Sequence, residues 1–235
     1  MTPSEALRIK NEAIARLAQA FTNPVRLRLL GILNQGEASV EVLAEKTGQS
    51  GANTSAQLRQ LASANVVVAR REGRHIYYRL ASPGVRRLWK SLQEEAAASS
   101  PALRELVRDW YGPLDPDDVA AARVLMARVV AGEVTLLDVR PPDEHAAGHL
   151  PGARNISADT IEAVVDTLPP GRPVVVYCRG RYCVLAADCV RRLQGRGVDV
   201  RNLAMGVADW EAAGLPVSSS AASRPAVALP ENTTA

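Results

Sequence analysis

The spacing of apolar residues changes near residue 98, and this change limits the fold more than any other feature of the sequence. Before it, apolar residues recur every three or four positions in several short segments, a spacing that predicts helices. After it, strand-like runs at 134–138, 173–177 and 198–203 alternate with helical segments at 116–131, 159–168 and 183–195. Such alternation is typical of a parallel sheet that helices cover on both faces. A chain of 235 residues can hold two domains with separate cores.

The first half has the element order of a winged helix-turn-helix. Helical segments at 4–22, 25–33, 39–47 and 53–64 precede strand-like runs at 66–70 and 75–80, and a further helical segment at 83–98 follows. Ser39 is a candidate N-cap for the third helix, and Gly48 ends that helix before a short turn. A helix, a tight turn and a second, polar helix form the helix-turn-helix pattern, and the two strands form the wing.

Charge is divided unevenly along the chain, and this points to the partner of the first half. Residues 1–98 carry a net charge of +6 and residues 99–235 a net charge of −3. A basic half indicates contact with a polyanion. In a helix-turn-helix the second helix enters the major groove of DNA, and a basic wing reaches phosphates or the minor groove. The candidate DNA-binding residues are Asn53, Thr54, Ser55, Gln57, Arg59 and Gln60 on the helix and Arg70, Arg71, Arg74 and His75 on the wing.

Residues 10–90 resemble the ArsR/SmtB family of bacterial repressors through NPVRLRLLGIL, SVEVLAEKTGQS and NTSAQLRQLASANVVVARREGRHIYYRL. The resemblance implies a homodimer on double-stranded operator DNA, with the helices at 4–22 and 83–98 at the dimer interface. It also implies release of the DNA when an inducer binds. Family members often sense metals through cysteines on the helix before the recognition helix, or through acidic residues and histidines on the last helix. Here 39–47 contains no Cys and 83–98 contains neither His nor Asp, so we predict no metal site in this half.

The three cysteines, Cys178, Cys183 and Cys189, all lie in the second half. An odd number crowded into so short a segment does not suit a secreted disulfide framework, but it suits a reactive thiol site. In VVVYCRGRYCVLAA, Cys178 ends a strand and a helix follows. Backbone N–H groups at the helix start, together with Arg179 and Arg181, favour a thiolate on Cys178 and can hold an anion. We interpret Cys189 as a core residue.

Residues 117–217 resemble rhodanese domains through LLDVRPPDEHAAGHLPGARNI, YCRGRYC and LAMGVADWEAAGLPV, in that order. The resemblance implies transfer of sulfane sulfur through a persulfide on Cys178, with 178–183 as the active-site loop. The residues that it assigns to the site are Cys178, Arg179, Gly180, Arg181, Tyr182, Cys183, Asp138 and Arg140, the last two as supports of the loop. Glu144 and His149 match the signature as residues that brace the loop.

The predicted domains are a DNA-binding and dimerisation domain at 1–98, a linker at 99–116, a rhodanese domain at 117–217 and a disordered tail at 218–235. The expected fold class is a mainly α winged helix-turn-helix with a β-hairpin wing, followed by an α/β domain with a parallel sheet. No apolar run reaches about 18 residues, and MTPSEALRIK lacks the apolar core of a signal peptide. We therefore expect no membrane partner and a cytoplasmic location, and no cofactor is expected.

These observations favour a transcriptional repressor whose rhodanese domain senses or transfers sulfane sulfur. The sulfur source would be a small anion such as thiosulfate or polysulfide, acting as substrate or inducer. Cys183 either resolves a Cys178 persulfide or only packs at the helix start. Three alternatives stay open: a sulfurtransferase enzyme, a metalloid-responsive repressor that uses the three thiols, and an inert rhodanese fold that binds a partner. A related Cdc25-type phosphatase needs an arginine where this chain has Val184, so that activity is not expected.

Overall fold

The structure is a computed structural model that describes residues 1–111, 114–115 and 119–220 of the chain. The chain divides into two compact units, residues 1–105 and 106–235. This division falls inside the segment predicted as a linker, 99–116. None of the helices in the described ranges is long and apolar enough to cross a bilayer.

The N-terminal unit is a set of helices with a small antiparallel sheet. Its elements are α1 (Pro3–Gln19), α2 (Pro24–Leu33), β1 (Ala38–Ser39), α3 (Val40–Thr47), α4 (Gly51–Ser63), β2 (Val67–Glu72), β3 (His75–Leu80) and α5 (Pro83–Ser99). The strands pair in the order β1-β3-β2, and β2 and β3 form the hairpin of the wing. Ser39 caps α3 and Gly48 ends it with a φ of +65°, as the sequence predicted. The winged helix-turn-helix is confirmed.

Leucines from three helices hold the recognition helix α4 in place. Leu29 and Leu30 of α2, Leu43 of α3 and Leu58 of α4 have no exposed surface. Full burial of such a side chain stabilises the folded state by about 1.5–3 kcal/mol. The polar face of α4 is therefore fixed relative to α2 and α3, which positions its side chains for contact with a ligand.

The C-terminal unit is built on a parallel sheet. Helix α6 (Pro101–Leu106) starts just before the division between the units and is followed by a π-helical turn (Val107–Tyr111). The other described elements are, in order, β4 (Leu114–Asp115), α7 (Val119–Val130), β5 (Thr135–Asp138), α8 (Pro142–Ala147), β6 (Arg154–Asn155), a 3₁₀ helix (Ala158–Thr167), β7 (Val174–Tyr177), α9 (Val184–Gln194), β8 (Val200–Leu203) and α10 (Val207–Ala212). The strand order is β4-β8-β7-β5-β6, with every pairing parallel. The predicted α/β fold class with a parallel sheet is confirmed.

Two segments of this unit differ from the sequence prediction. The helical segment predicted at 159–168 is 3₁₀ helix over Ala158–Thr167, with a kink at Thr160, whose backbone angles are not helical. Residues 218–220 were predicted as part of a disordered tail. Instead, Ser218 exchanges backbone hydrogen bonds with His149, and the N–H of Ser220 donates to the carbonyl of Ala146. The rest of that predicted tail, 221–235, lies outside the described residues.

Candidate functional site

Helix α4 carries most of the predicted DNA-binding residues. The side chain of Ser50 accepts a hydrogen bond from the N–H of Asn53, and this cap begins the helix directly after the turn that follows α3. Arg59 and Gln60 are exposed, and Asn53, Ser55 and Gln57 are half-buried. These five side chains form a polar surface that a duplex can reach.

Thr54 does not belong to that surface. It has no exposed area, and its Oγ1 atom has no hydrogen-bond partner among the described residues. The prediction that Thr54 contacts DNA is therefore wrong. The reason is helical spacing, since Thr54 precedes Leu58 by four positions and Leu61 by seven, and all three lie on the buried face.

A buried arginine that the sequence analysis did not single out orients the polar face of α4. Arg26 of α2 is 9% exposed, and its Nη1 atom donates to Oε1 of Gln60 at 2.6 Å and to Oε1 of Gln57 at 3.2 Å. Its Nε and Nη2 atoms donate to the backbone carbonyls of Ala20 and Gln19 at 2.9 and 2.6 Å. Arg26 therefore ties the end of α1 to the recognition helix and fixes which way both glutamine amides point.

A chain of side-chain amides continues this network toward the start of α4. Nε2 of Gln57 donates to Oδ1 of Asn53 at 3.3 Å, and Nδ2 of Asn53 donates to Oε1 of Gln49 at 2.7 Å. Asn and Gln amides can read base edges, and a fixed orientation decides whether donor or acceptor faces the groove. A charged residue on the apolar face of α2, where Leu29 and Leu30 follow, was the available signal for Arg26.

The predicted cations of the wing differ in whether they form an ion pair with a carboxylate. Arg70 makes bidentate hydrogen bonds with Glu37, the shortest of 2.5 Å, and a further ion pair with Glu72 at 2.5 Å. Arg71 and Arg74 are exposed and form no ion pair with a carboxylate in the described part of the chain. The tip charge that DNA phosphates would meet therefore comes mainly from these two residues.

Gly73 and His75 lie next to these arginines at the tip of the wing. Gly73 turns the hairpin with a φ of +60°, which favours glycine. His75 is half-buried and lies 3.5 Å from the carboxylate of Glu41 on α3. Together with Tyr77, whose ring lies under Arg70 at 4.6 Å, these contacts fasten the wing to the rest of the unit.

The loop 178–183 lies at the carboxyl end of β7, where the sequence placed it. Gly180 has a φ of +120°, a backbone conformation that favours glycine. Gly206, before α10, allows a close approach, because a Cβ at that position would lie 2.7 Å from the carbonyl carbon of Arg179. The two glycines let the loop fold tightly against the segment that follows β8.

Cys178 and Cys183 form a pair of unequal thiols within this loop. Cys178 is 1% exposed, whereas Cys183 is half-buried at the N-cap of α9. The thiols lie close enough for a hydrogen bond, and this bond together with burial raises the pKa of Cys178. The same bond and the nearby N–H groups of Arg179, Leu185 and Ala186 lower the pKa of Cys183 to about 6.

This inequality changes an expectation from the sequence. The helix start was expected to favour a thiolate on Cys178, but it is Cys183 that caps α9. The backbone N–H groups of Leu185 and Ala186 in the first turn of α9 favour negative charge on its sulfur. The backbone N–H groups of the loop and of the start of α9 therefore favour a single negative charge on the pair of thiols, which titrates as a unit.

Arg179 is held by an acidic residue of the preceding loop. Its Nε and Nη2 atoms donate to the two carboxylate oxygens of Glu144 at 2.9 and 2.5 Å. Both side chains are largely buried, at 22% and 15% exposure. Glu144 thus braces the loop, and the charge of Arg179 still lowers the pKa of Cys178 against the larger opposing effects. Arg181 and Tyr182 are half-buried beside it.

Asp138 and Arg140 form a buried ion pair behind the loop. Nη2 of Arg140 donates to Oδ2 of Asp138 at 2.6 Å and to the carbonyl of Gly148 at 2.6 Å. Asp138 has no exposed area and Arg140 only 4%. The hydroxyl of Tyr177 donates to Asp138 at 2.7 Å and accepts from the N–H of Leu150 at 3.0 Å. Because Tyr177 directly precedes Cys178, this network lies next to the start of the loop; that Asp138 and Arg140 support the loop stays a prediction.

The segment that joins the units contacts the loop, which the sequence did not reveal. The hydroxyl of Tyr111 donates to the backbone carbonyl of Tyr182 at 3.1 Å, and the two rings meet edge to face with centroids 5.7 Å apart. One residue earlier, Trp110 lies under the guanidinium of Arg191 on α9 at 4.3 Å. The π-helical turn therefore contacts Tyr182, which directly precedes Cys183, and Arg191 of α9, the helix that begins after Cys183.

Two histidines and the third cysteine lie outside the loop 178–183. His145 and His149 stack with ring centroids 3.8 Å apart, and His149 Nδ1 lies 2.9 Å from the carbonyl of His145. Cys189 has no exposed area and belongs to the apolar cluster under the sheet, as predicted for a core residue. Within 1–111, 114–115 and 119–220 there is no group of three or more His, Cys, Asp and Glu side chains placed to hold a metal ion.

Comparison with protein families matches both halves of the chain. Residues 23–68 match the family described as bacterial regulatory protein, arsR family. Residues 121–213 match the family described as rhodanese-like domain. Both resemblances seen in the sequence are therefore confirmed.

The chain is also similar to individual proteins. The chain is 41% identical over 210 residues to the HTH-type transcriptional regulator Rv0324 of Mycobacterium tuberculosis, which covers 89% of this chain and 92% of that protein. It is 35% identical over 85 residues to a protein named sulfurtransferase from Allochromatium vinosum, covering 36% of this chain and 78% of that protein. A solved homodimeric winged helix-turn-helix domain from Mycobacterium bovis is 38% identical, with a TM-score of 0.38, and covers 41% of this chain and 87% of that one.

The length of the match to Rv0324 decides the assignment, because one alignment runs through both halves. The chain belongs to the ArsR family of HTH-type transcriptional regulators and carries a rhodanese-like domain in its C-terminal half.

Proposed function

We propose that this regulator binds operator DNA as a homodimer and releases it when sulfane sulfur oxidises the loop 178–183. The observation that carries the proposal is that two adjacent thiols lie in a loop held by the segment joining the units. Tyr182, which Tyr111 contacts, is the direct neighbour of Cys183. A chemical change at the thiols is therefore also a change at the end of that segment.

Apolar surface on the first and last helices of the N-terminal unit supports the homodimer. Helix α1 has no buried residue, although its sequence is amphipathic. The exposed apolar side chains are Leu7, Ile9 and Ile14 on α1 and Leu88 and Leu92 on α5. Surface of this kind marks protein–protein contacts, and a second copy would cover it. A homodimer also matches a palindromic operator.

The chemistry of the loop favours a small sulfur anion as the inducer. The loop offers backbone N–H groups near Cys183 and the guanidinium of Arg179 within electrostatic range of Cys178. Such donors hold an anion before its sulfur is transferred to a thiolate. Thiosulfate and polysulfide both have the required charge and a sulfane sulfur atom.

The test measures DNA affinity before and after sulfur exposure. The reduced full-length protein selects its preferred duplex from a random pool, and the Kd for that duplex is measured with and without polysulfide. We expect the affinity of the unsubstituted protein to fall at least about tenfold, in the range of typical allosteric coupling. Cys178→Ser should show no fall, because it cannot join Cys178 to Cys183.

Cys189→Ala is the matched control, since Cys189 is buried in the core and should leave the response intact. Polysulfide that modifies the thiols of the unsubstituted protein without changing its Kd for DNA would refute the proposal.

The likeness to a sulfurtransferase favours a second candidate function, catalytic transfer of sulfur to an acceptor. An enzyme turns over many times, whereas a sensor reacts once per oxidation cycle. Steady-state assays with thiosulfate as donor and cyanide or a small thiol as acceptor separate the two. Sustained turnover would favour the enzyme, and a single stoichiometric reaction would favour the sensor.

A further inference from the structure

We propose that Arg26 makes the recognition helix α4 a surface of hydrogen-bond donors, and that the helix therefore prefers guanine in its operator. This base preference rests on the proposed binding of operator DNA and names the base chemistry that the helix reads. Arg26 is a positioning residue, because the groups that meet the bases are the amides of Gln60 and of Gln49, in the turn before α4.

The first argument is that Arg26 can only donate. A guanidinium has five N–H groups and no acceptor. All five are used in this structure, two toward Gln57 and Gln60 and three toward the hydroxyl of Thr22 and two backbone carbonyls at the end of α1. Both glutamines must therefore turn Oε1 toward Arg26 and Nε2 away from it.

Two further amides carry this direction to the start of α4. Because Oε1 of Gln57 faces Arg26, its Nε2 donates to Oδ1 of Asn53 at 3.3 Å. Asn53 then donates from Nδ2 to Oε1 of Gln49 at 2.7 Å. The NH₂ group of Gln49 is thus the last donor of the chain. It lies at the N-terminal end of the recognition helix, the end that contacts base edges in a helix-turn-helix.

The bases differ in what they offer to such donors in the major groove. Guanine presents two adjacent acceptors, N7 and O6, whereas adenine presents an acceptor and a donor, cytosine a donor, and thymine one acceptor beside a methyl group. The usual pairing of Gln with adenine needs both Oε1 and Nε2. Here Oε1 of Gln60 accepts from Arg26 at 2.6 Å, and the buried positive charge behind it opposes the approach of a base amino group. The arrangement therefore favours guanine.

The experiment starts from the duplex that the reduced full-length protein selects from a random pool. Each guanine of that duplex is replaced in turn by 7-deazaguanine, which lacks the N7 acceptor. We expect the Kd to rise at least about fivefold at one or more guanines, because an amide donor would be left facing a C–H group. Inosine is the matched control. It lacks only the minor-groove amino group of guanine and should leave the Kd within about twofold.

Two substitutions of Arg26 separate positioning from structural support. Arg26→Lys keeps a charged group that can only donate, whereas Arg26→Met removes both the charge and the donors. Both variants lose hydrogen bonds, so we expect the Tm of the N-terminal unit to fall in both. The readout is the Kd for a duplex with adenine in place of the contacted guanine, divided by the Kd for the selected duplex. This ratio should fall at least about fivefold in Arg26→Met and should be retained in Arg26→Lys.

Substitution of the two outward-facing glutamines should change which base is preferred. In Gln49→Glu and Gln60→Glu the carboxylate can still accept the same hydrogen bond, but it offers no donor to the groove. We expect selection to move from guanine toward cytosine, whose N4 amino group pairs with Glu. Arg59→Ala on the same helix is the control, since it should weaken binding without changing the preferred base.

The preference for guanine is refuted if the selected duplex contains no guanine, or if 7-deazaguanine leaves the Kd unchanged at every position. The role of Arg26 is refuted if both of its variants change the ratio equally. If Arg26→Met does not fold, the glutamate variants decide, and an unchanged base preference in both would overturn the proposal. Failure of the proposed sulfur response has a different appearance, because the preference for guanine would then remain while polysulfide leaves the Kd unchanged.

Discussion

The hydroxyl of Tyr177 joins the buried ion pair to the backbone, and Tyr177→Phe removes it without changing the shape of the ring. In the folded protein this hydroxyl donates to Oδ2 of Asp138 at 2.7 Å and accepts from the N–H of Leu150 at 3.0 Å. Tyr177 itself has no exposed area. No water can therefore replace the hydroxyl without rearrangement of the core.

Two losses add to the expected effect. A hydrogen bond to a charged group contributes about 1.5–3 kcal/mol, and a buried N–H group left without a partner costs about 1–3 kcal/mol. Asp138 keeps its bidentate pair with Arg140, which limits the first loss. We therefore expect the free energy of unfolding of the C-terminal unit to fall by about 3 kcal/mol. For a unit of this size that corresponds to a fall in Tm of roughly 10 °C.

Differential scanning calorimetry of the full chain measures the change, since the two units each have a core and can unfold in separate transitions. The Tm of the C-terminal unit should fall, and the Tm of the N-terminal unit should not change. Tyr77→Phe on the wing is the matched control. Hydrogen exchange at the N–H of Leu150 should accelerate in Tyr177→Phe. A Tm change below about 2 °C, with unchanged exchange at Leu150, would refute the assigned role of the hydroxyl.

Four further positions test other parts of the structure. Gly206→Ala places a Cβ 2.7 Å from the carbonyl carbon of Arg179, so we expect sulfur incorporation from polysulfide, measured by peptide mass spectrometry, to slow by about tenfold or more, with the Kd for DNA unchanged. Thr54→Val removes a buried hydroxyl that has no partner in the described chain; chemical denaturation should show the N-terminal unit stabilised by about 0.5–1 kcal/mol, and the Kd should stay within about twofold. Arg26→Met should destabilise that unit by about 2–4 kcal/mol and broaden the base preference found by selection from a random pool. Arg59 is exposed on α4, and we expect it to contact a phosphate, so Arg59→Ala should weaken binding to all sequences alike and reduce the salt dependence by about one ion; a change in base preference would contradict that expectation.

The elements of the fold that short-range patterns specify were predictable from the sequence. Helix α3 begins after Ser39 and ends at Gly48 because a side-chain cap and a left-handed residue act within a few positions. Strand β3 occupies the predicted run 75–80 for a similar reason, since alternation and a glycine turn define a hairpin locally. The helical segment predicted at 159–168 is present as 3₁₀ helix, a type that the spacing of apolar residues does not specify.

The functional side chains were predictable only where a motif placed them. Cys178 and its loop follow from the order of three signatures, but the inequality between Cys178 and Cys183 does not. Arg26 meets Gln60 across 34 positions of sequence, and Tyr111 meets Tyr182 across 71. Contacts of this kind depend on how the elements pack, and a single sequence contains no pattern with that spacing.

The contact between Tyr111 and Tyr182 also constrains which chemical state of the loop can serve as the signal. A persulfide on either cysteine adds one sulfur atom but leaves Cys178 and Cys183 as separate side chains. A bond between the two sulfurs brings them closer than any hydrogen bond between thiols, and Tyr182, one residue before Cys183, must follow that movement. The hydrogen bond from Tyr111 to the carbonyl of Tyr182 is already 3.1 Å long, so a displacement of about 1 Å would break it. Because the π-helical turn that contains Tyr111 is continuous with α6, the disulfide and not the persulfide is the state that we expect to alter the segment between the units.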